Sequence, residues 1–166
     1  CRRAMTMTKN GRVGVIGTAA TMRSGAYEKY LHKKDGTLRL CTQACPLFVP
    51  LVENGRVHRG DIVIETVTRE YLAPLKDAGV DTLILGCTHY PLLEEVIGDF
   101  MGPDVTLIDS GAEAANLAST QFDPNDGPGG TRYYVSDDPA GFDGLAGLFL
   151  QENVETRAEL IDISKF

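Results

Sequence analysis

Short apolar runs alternate with longer stretches of helical periodicity along the 166 residues. Arg12-Val-Gly-Val-Ile-Gly17 predicts a short buried strand, and Thr18-Ala-Ala-Thr21 a turn into a helix reaching about Leu31, with Tyr27, Tyr30 and Leu31 on one side. Asp35-Gly36 marks a turn before a second strand, Thr37-Leu-Arg-Leu-Cys41. The run Ala44-Cys-Pro-Leu-Phe-Val-Pro-Leu-Val-Glu53 carries two prolines and predicts a short, irregular, buried helix that Gly55 ends. Asp61 is placed to cap a longer helix to about Ala78, with Ile64, Val67, Tyr71, Leu75 and Ala78 as its apolar stripe and Pro74 as a kink.

Val80 to Gly86 is apolar on both faces, the pattern of a strand buried on both sides of a parallel sheet. A helix over 91–100 and a fourth strand, Val105-Thr-Leu-Ile108, follow, then Asp109-Ser-Gly111 and a helical stretch from Ala112 to about Phe122. Residues 123–130 predict a Pro/Gly-rich loop, 131–136 a strand, 137–150 a capped helix, and 154–163 an edge strand. The residues before Gly11 read as a polar lead-in that starts no element. Strands and helices alternating over short links define an α/β chain with a parallel sheet.

Composition narrows the class. Apolar residues make up 43%, enough for a core, and a net charge of −7 argues against a nucleic-acid or anionic-membrane surface. No apolar run approaches the length of a membrane helix, and no signal-peptide pattern opens the chain, so a cytoplasmic protein is the expectation.

Candidate chemistry centres on Gly86-Cys-Thr-His89. A thiol at the carboxyl end of a parallel strand, just ahead of a helix, lies near backbone N–H groups and a positive helix end, both of which favour thiolate. Thr18 and Thr21 follow an earlier strand and would share that edge, or simply cap their helix. Glu53 closes the apolar run, where a solvated helix terminus is the plainer reading. Of the four cysteines, Cys41, Cys45 and Cys87 with His89 form a set that could ligate zinc, although Cys-x-His spacing is tight for a structural site. A zinc-stabilised or otherwise non-catalytic α/β binding module therefore stands as an alternative.

Four stretches resemble glutamate racemase, of the aspartate/glutamate racemase superfamily: Gly14-Val-Ile-Gly-Thr18, the run from Ala44 to Glu53, Leu83-Ile-Leu-Gly-Cys-Thr-His-Tyr-Pro-Leu-Leu93, and Leu107-Ile-Asp-Ser-Gly-Ala112. They occur in that family's order. The resemblance implies a flavodoxin-like parallel-sheet racemase domain plus a partial second α/β domain. It further implies interconversion of L- and D-glutamate for peptidoglycan synthesis, with no cofactor and no metal. By this resemblance Cys87 is one of two opposed acid–base cysteines, and His89 assists it. Thr88, His89, Glu53, Thr21 and Thr18 face the substrate, while Cys45 is packing. The family's Asp-Ser-Gly-x-Gly-Gly and Cys-Asn-Thr-Ala motifs, the second bearing the other catalytic cysteine, have no counterpart here. The expectation is thus an amino-terminally truncated racemase, inactive alone: residues 1–10 a lead-in, 11–109 the Cys87 domain, and 110–166 a segment returning to the first domain. The partners implied are glutamate, no nucleic acid and no membrane, with a homodimer as the assembly to test. Another superfamily racemase is the near alternative.

Overall fold

A computed structural model describes residues 1–121, 130–150 and 158–165. The chain divides into two compact units, Cys1–Gln121 and Phe122–Phe166.

The first unit is built on four parallel strands: β1 (Arg12–Gly17), β2 (Arg39–Ala44), β3 (Thr82–Leu85) and β4 (Thr106–Asp109). Their order across the sheet is β2-β1-β3-β4. After β2 the chain crosses back over β1 before adding β3, so the winding reverses between β1 and β3. In register, Val13 faces Leu40 and Thr82, and Leu85 faces Asp109. All four residues of β3 are buried, as its unbroken apolar pattern requires.

Helices cover both faces. Val13, Val15 and Ile84 pack with Ala4, Leu31, Leu38 and Ile108 in one core cluster. Ala4 comes from α1 (Arg2–Met7), a helix where the polar lead-in predicted no element. The burial of Ala4 against the sheet stabilises this short polar segment, which pattern alone could not reveal. Packed against α5 (Ile62–Asp77) on the opposite side, α6 (Glu94–Met101) completes that layer.

The helix expected from Thr18 to Leu31 is two helices, α2 (Ala19–Ser24) and α3 (Ala26–Lys34). Gly25 divides them at φ 60°, a left-handed conformation that a side chain would strain. Asp61 caps α5 by accepting from the Val63 N–H at 2.9 Å. The buried stripe of α5 is Ile64, Thr68, Leu72 and Leu75, turned from the expected one so that Val67 and Tyr71 are only partly buried. The proline-bearing run forms α4 (Phe48–Glu53), and α7 (Ser110–Ser119) follows β4 directly.

In the second unit β5 (Tyr134–Val135) pairs in parallel with β6 (Glu159–Leu160), and α8 (Pro139–Leu150) stands between them in sequence. The rings of Tyr133 and Phe142 meet at 5.5 Å. The loop expected over 123–130 lies outside the described residues except for Gly130, as does the first part of the edge strand expected over 154–163.

Candidate active site

Cys87 stands at the sheet's winding reversal, where open α/β sheets form their binding crevices. Strand β3 ends at Leu85, and the Gly86 N–H still donates to the Ile16 carbonyl of β1 at 2.8 Å. Cys87 follows, half-buried, with a free thiol. The α-helix expected over 91–100 starts later than its pattern implied. A 3₁₀ turn, Tyr90–Leu93, intervenes, and α6 begins only at Glu94. Tyr90 N–H donates to the Cys87 carbonyl at 3.2 Å to start that turn.

Glu53 is brought to Thr88 and His89 from 36 positions earlier in the chain. His89 Nε2 lies 3.1 Å from Glu53 Oε1, and its Nδ1 lies 3.3 Å from Thr88 Oγ1. A neutral imidazole fits both contacts, its Nε2–H donating to the carboxylate while Nδ1 accepts from the threonine hydroxyl. The Glu53 side chain keeps 43% of its surface and that of His89 21%, so the pair faces outward from the sheet edge.

Packing explains why α4 delivers Glu53 there. Phe48 is fully buried and meets Tyr90 edge-on at 5.2 Å and Tyr71 at 5.5 Å. Tyr90, the residue after His89, is itself fully buried and donates its hydroxyl to the Cys45 carbonyl at 2.9 Å. The apolar run ending at Glu53 and the turn carrying His89 are therefore anchored to each other. Cys45 is packing, fully buried, and burial pushes its thiol up to about 12. Burial also raises Tyr90.

Thr18 and Thr21 form their own pair at the end of β1. Their hydroxyls are 3.0 Å apart, and Thr18 caps α2 by accepting from the Thr21 N–H at 3.2 Å. They share the carboxyl edge with Cys87, and capping and edge placement occur together.

Two further residues at this edge carried no sequence signal beyond helix pattern and turn. Tyr27 of α3 lies against Gly86, near Ser110, the first residue of α7. Ser110 Oγ in turn donates to the Leu85 carbonyl at 2.8 Å. Burial raises Tyr27, and the neighbouring Ser110 hydroxyl opposes this in part. Burial thus keeps Tyr27, Tyr90 and Cys45 neutral.

Cys41, Cys45, Cys87 and His89 do not gather as a metal site: among the described residues no three His, Cys, Asp or Glu side chains form such a group. Two cavities of about 300 and 320 Å³ lie elsewhere, one lined by Thr68, Arg69, Lys76 and Phe100, the other by Leu47, Leu51 and Val67. Neither includes the Cys87 edge. Among the described residues no helix is long and apolar enough to cross a membrane.

Fold and site together define a doubly wound α/β domain with a strand-end thiol, a paired imidazole and carboxylate, and hydroxyls at its winding reversal. The family profile described as Asp/Glu/Hydantoin racemase matches residues 1–118, and the chain belongs to that family. It is 46% identical over 155 residues to a glutamate racemase of Geobacter metallireducens, an alignment covering 90% of this chain and 57% of the relative. To that of Persephonella marina it is 41% identical over 163 residues, covering 98% and 60%. The chain thus spans rather more than half the length of these relatives. Among solved structures, glutamate racemase isoform RacE1 of Bacillus anthracis matches with a TM-score of 0.84 at 33% identity, covering 98% of this chain and 61% of that one. The Francisella tularensis glutamate racemase in complex with D-glutamate matches with a TM-score of 0.85 at 32% identity, covering 98% and 62%.

Proposed function

We propose that this chain supplies the Cys87 side of a glutamate racemase. The Cα proton of an amino acid is very weakly acidic, and inversion requires its removal from one face and return of a proton to the other. Cys87 as thiolate takes the Cα proton from one face, while a second thiol opposite gives its own proton to the other. In the reverse direction the two exchange roles. The carried observation is the chain Glu53–His89–Thr88 beside Cys87 at the winding reversal. The carboxylate fixes the ring, and the Thr18–Thr21 hydroxyl pair keeps one O–H free to donate to a substrate carboxylate.

No other cysteine of the chain suits the opposing role. Cys45 is buried, Cys41 lies within β2 short of the carboxyl edge, and Cys1 packs against the core cluster. The 166-residue polypeptide by itself is therefore expected to show no turnover. Four free cysteines fit a reducing cytoplasm, and the exposed side chains of Leu47, Ile62 and Val63 fit a homodimer contact.

A chimera tests the reading. The stretch of the Geobacter metallireducens relative that aligns with this chain is replaced by residues 1–166, and racemisation of L-glutamate and L-aspartate is followed by circular dichroism. Turnover of glutamate is expected, with Cys87→Ala lowering kcat at least about a thousandfold, as loss of an acid–base group does. A folded chimera that turns over only aspartate, or that keeps its rate without Cys87, would overturn it.

A further inference from the structure

The Tyr90 hydroxyl ties together two strand ends that the sheet itself keeps apart. It donates to the Cys45 carbonyl at 2.9 Å, and both residues are fully buried. Cys45 leaves β2 and Tyr90 follows β3, two strands that do not pair because β1 lies between them. The bond therefore reaches across the carboxyl end of β1. Its acceptor is fixed to that edge, since the Cys45 N–H donates to the Gly17 carbonyl at 2.9 Å. The same Cys45 carbonyl takes the Phe48 N–H at 3.2 Å, the bond that opens α4. One carbonyl thus spends one lone pair on the helix start and the other on Tyr90. Burial keeps the phenol protonated, so it remains a donor.

Helix α4 depends on such a link. It is six residues long, carries Pro50 and has no side-chain cap at its start, whereas isolated helices below about 12–15 residues are already marginal in water. Its place is set from outside, by the Phe48 ring against Tyr71 and Tyr90 and by the Tyr90 hydroxyl on the Cys45 carbonyl. Glu53 is its last residue, and His89 immediately precedes Tyr90. We infer that the Tyr90 hydroxyl is a positioning group for the Glu53–His89 pair: by bonding the Cys45 carbonyl it fixes the start of α4 against the His89 turn, and so sets the 3.1 Å contact between carboxylate and ring. This rests on the place of that pair in the proposed site. Phenylalanine at this position would keep the edge-on contact with Phe48 and lose the directional bond, leaving a short helix free to slide along the ring.

Imidazole N–H exchange tests this on the chain itself. A ring N–H held in a hydrogen bond exchanges slowly with water, and a released one quickly. Nitrogen-15 NMR resolves the three imidazoles, His32, His58 and His89, and His89→Gln assigns the third by its loss. Wild type is expected to show a protected His89 Nε2–H, and Tyr90→Phe to speed its exchange about fivefold, the ratio that one net hydrogen bond carries. Asp81→Asn removes an acceptor of two backbone N–H groups at the opposite end of β3 and controls for a general loss of stability. There His89 exchange should stay within about twofold of wild type, as for independent sites. If Tyr90→Phe accelerates exchange no more than Asp81→Asn does, the inference is overturned. A wild-type His89 without a protected Nε2–H overturns it as well, whereas the racemase reading stands or falls on turnover by the chimera. Should Tyr90→Phe fail to fold, wild type in rising urea decides. The Tyr90 hydroxyl and the His89 N–H should then lose protection together, and release of His89 while the hydroxyl stays protected sinks the proposal.

Discussion

Replacing Gly86 by alanine tests the tightest point of the site. The new methyl carbon would lie 2.7 Å from the Ile16 carbonyl oxygen, well inside contact distance, and close to the Tyr27 ring and hydroxyl. The carbonyl cannot swing aside, since Ile16 is fully buried in β1 and that same oxygen accepts from the Gly86 N–H at 2.8 Å. Relief requires the end of β3 to move away from β1, losing that hydrogen bond. Overpacking costs about 1–3 kcal/mol and a lost backbone bond about 1 kcal/mol, so Gly86→Ala should destabilise by about 2–4 kcal/mol. Gly17→Ala, at the end of the neighbouring strand, is the comparison. Its methyl would meet Met22 Cε at 2.8 Å, the flexible end of a side chain that can turn away, though Thr21 stays at 3.2 Å. That variant should lose about 1 kcal/mol. Urea unfolding followed by far-ultraviolet circular dichroism measures both, and Cys87 alkylation reports the displacement of the strand end. A Gly86→Ala protein within about 0.5 kcal/mol of wild type, or less destabilised than Gly17→Ala, would refute the steric argument.

Two further outcomes follow from groups away from the thiol. The Asp81 carboxylate accepts from Thr8 Oγ1 and from the Lys9 and Asn10 N–H groups, each at 2.7 Å, and from Thr82 Oγ1 at 3.0 Å. Desolvation pushes its pKa up, but these donors outweigh it and leave the group below the ordinary carboxylate range. A folded value below the unfolded one gives stability that is full above the unfolded pKa, about 3.9, and is lost as pH falls through the folded value. Asp81→Asn should therefore cost about 1–2 kcal/mol at neutral pH, discounted for partial exposure, with a gap to wild type that narrows in acid. A gap that persists undiminished at low pH would contradict this. Thr68, fully buried in α5, has a hydroxyl with no hydrogen-bond partner. Thr68→Val keeps the shape and removes the unpaired group, so unfolding should require about 1 kcal/mol more, and a loss of stability would refute the assignment.

Periodicity carried the strands because a parallel sheet covered on both faces demands unbroken apolar runs, as in Leu83-Ile-Leu85. It failed for α1, whose one buried residue, Ala4, leaves no stripe to detect. The stripe of α5 was displaced because Thr68 is a polar type in an apolar position, so the pattern favoured Val67 instead. At the site, the adjacency of Cys87, Thr88 and His89 was visible in the sequence. The contact of His89 with Glu53, 36 positions away, was not: resemblance put each on the substrate side without joining them. Tyr27 and Ser110 were readable as a helix face and a turn, since nothing local tells that β4 runs beside β3.

The winding reversal also sets when the thiol becomes what it is. The hydroxyl of Thr8 reaches Asp81 across 73 residues, and β1 meets β3 only after the chain between them has closed that span. Closing long loops before they gain contacts is slow, so pairing of β1 with β3 belongs to the later steps of folding. The Cys87 edge exists only once that pairing is made. The reactivity of this one sulfur is consequently a clock for the unit: in a refolding experiment, pulses of alkylating reagent would register the moment the two central strands join.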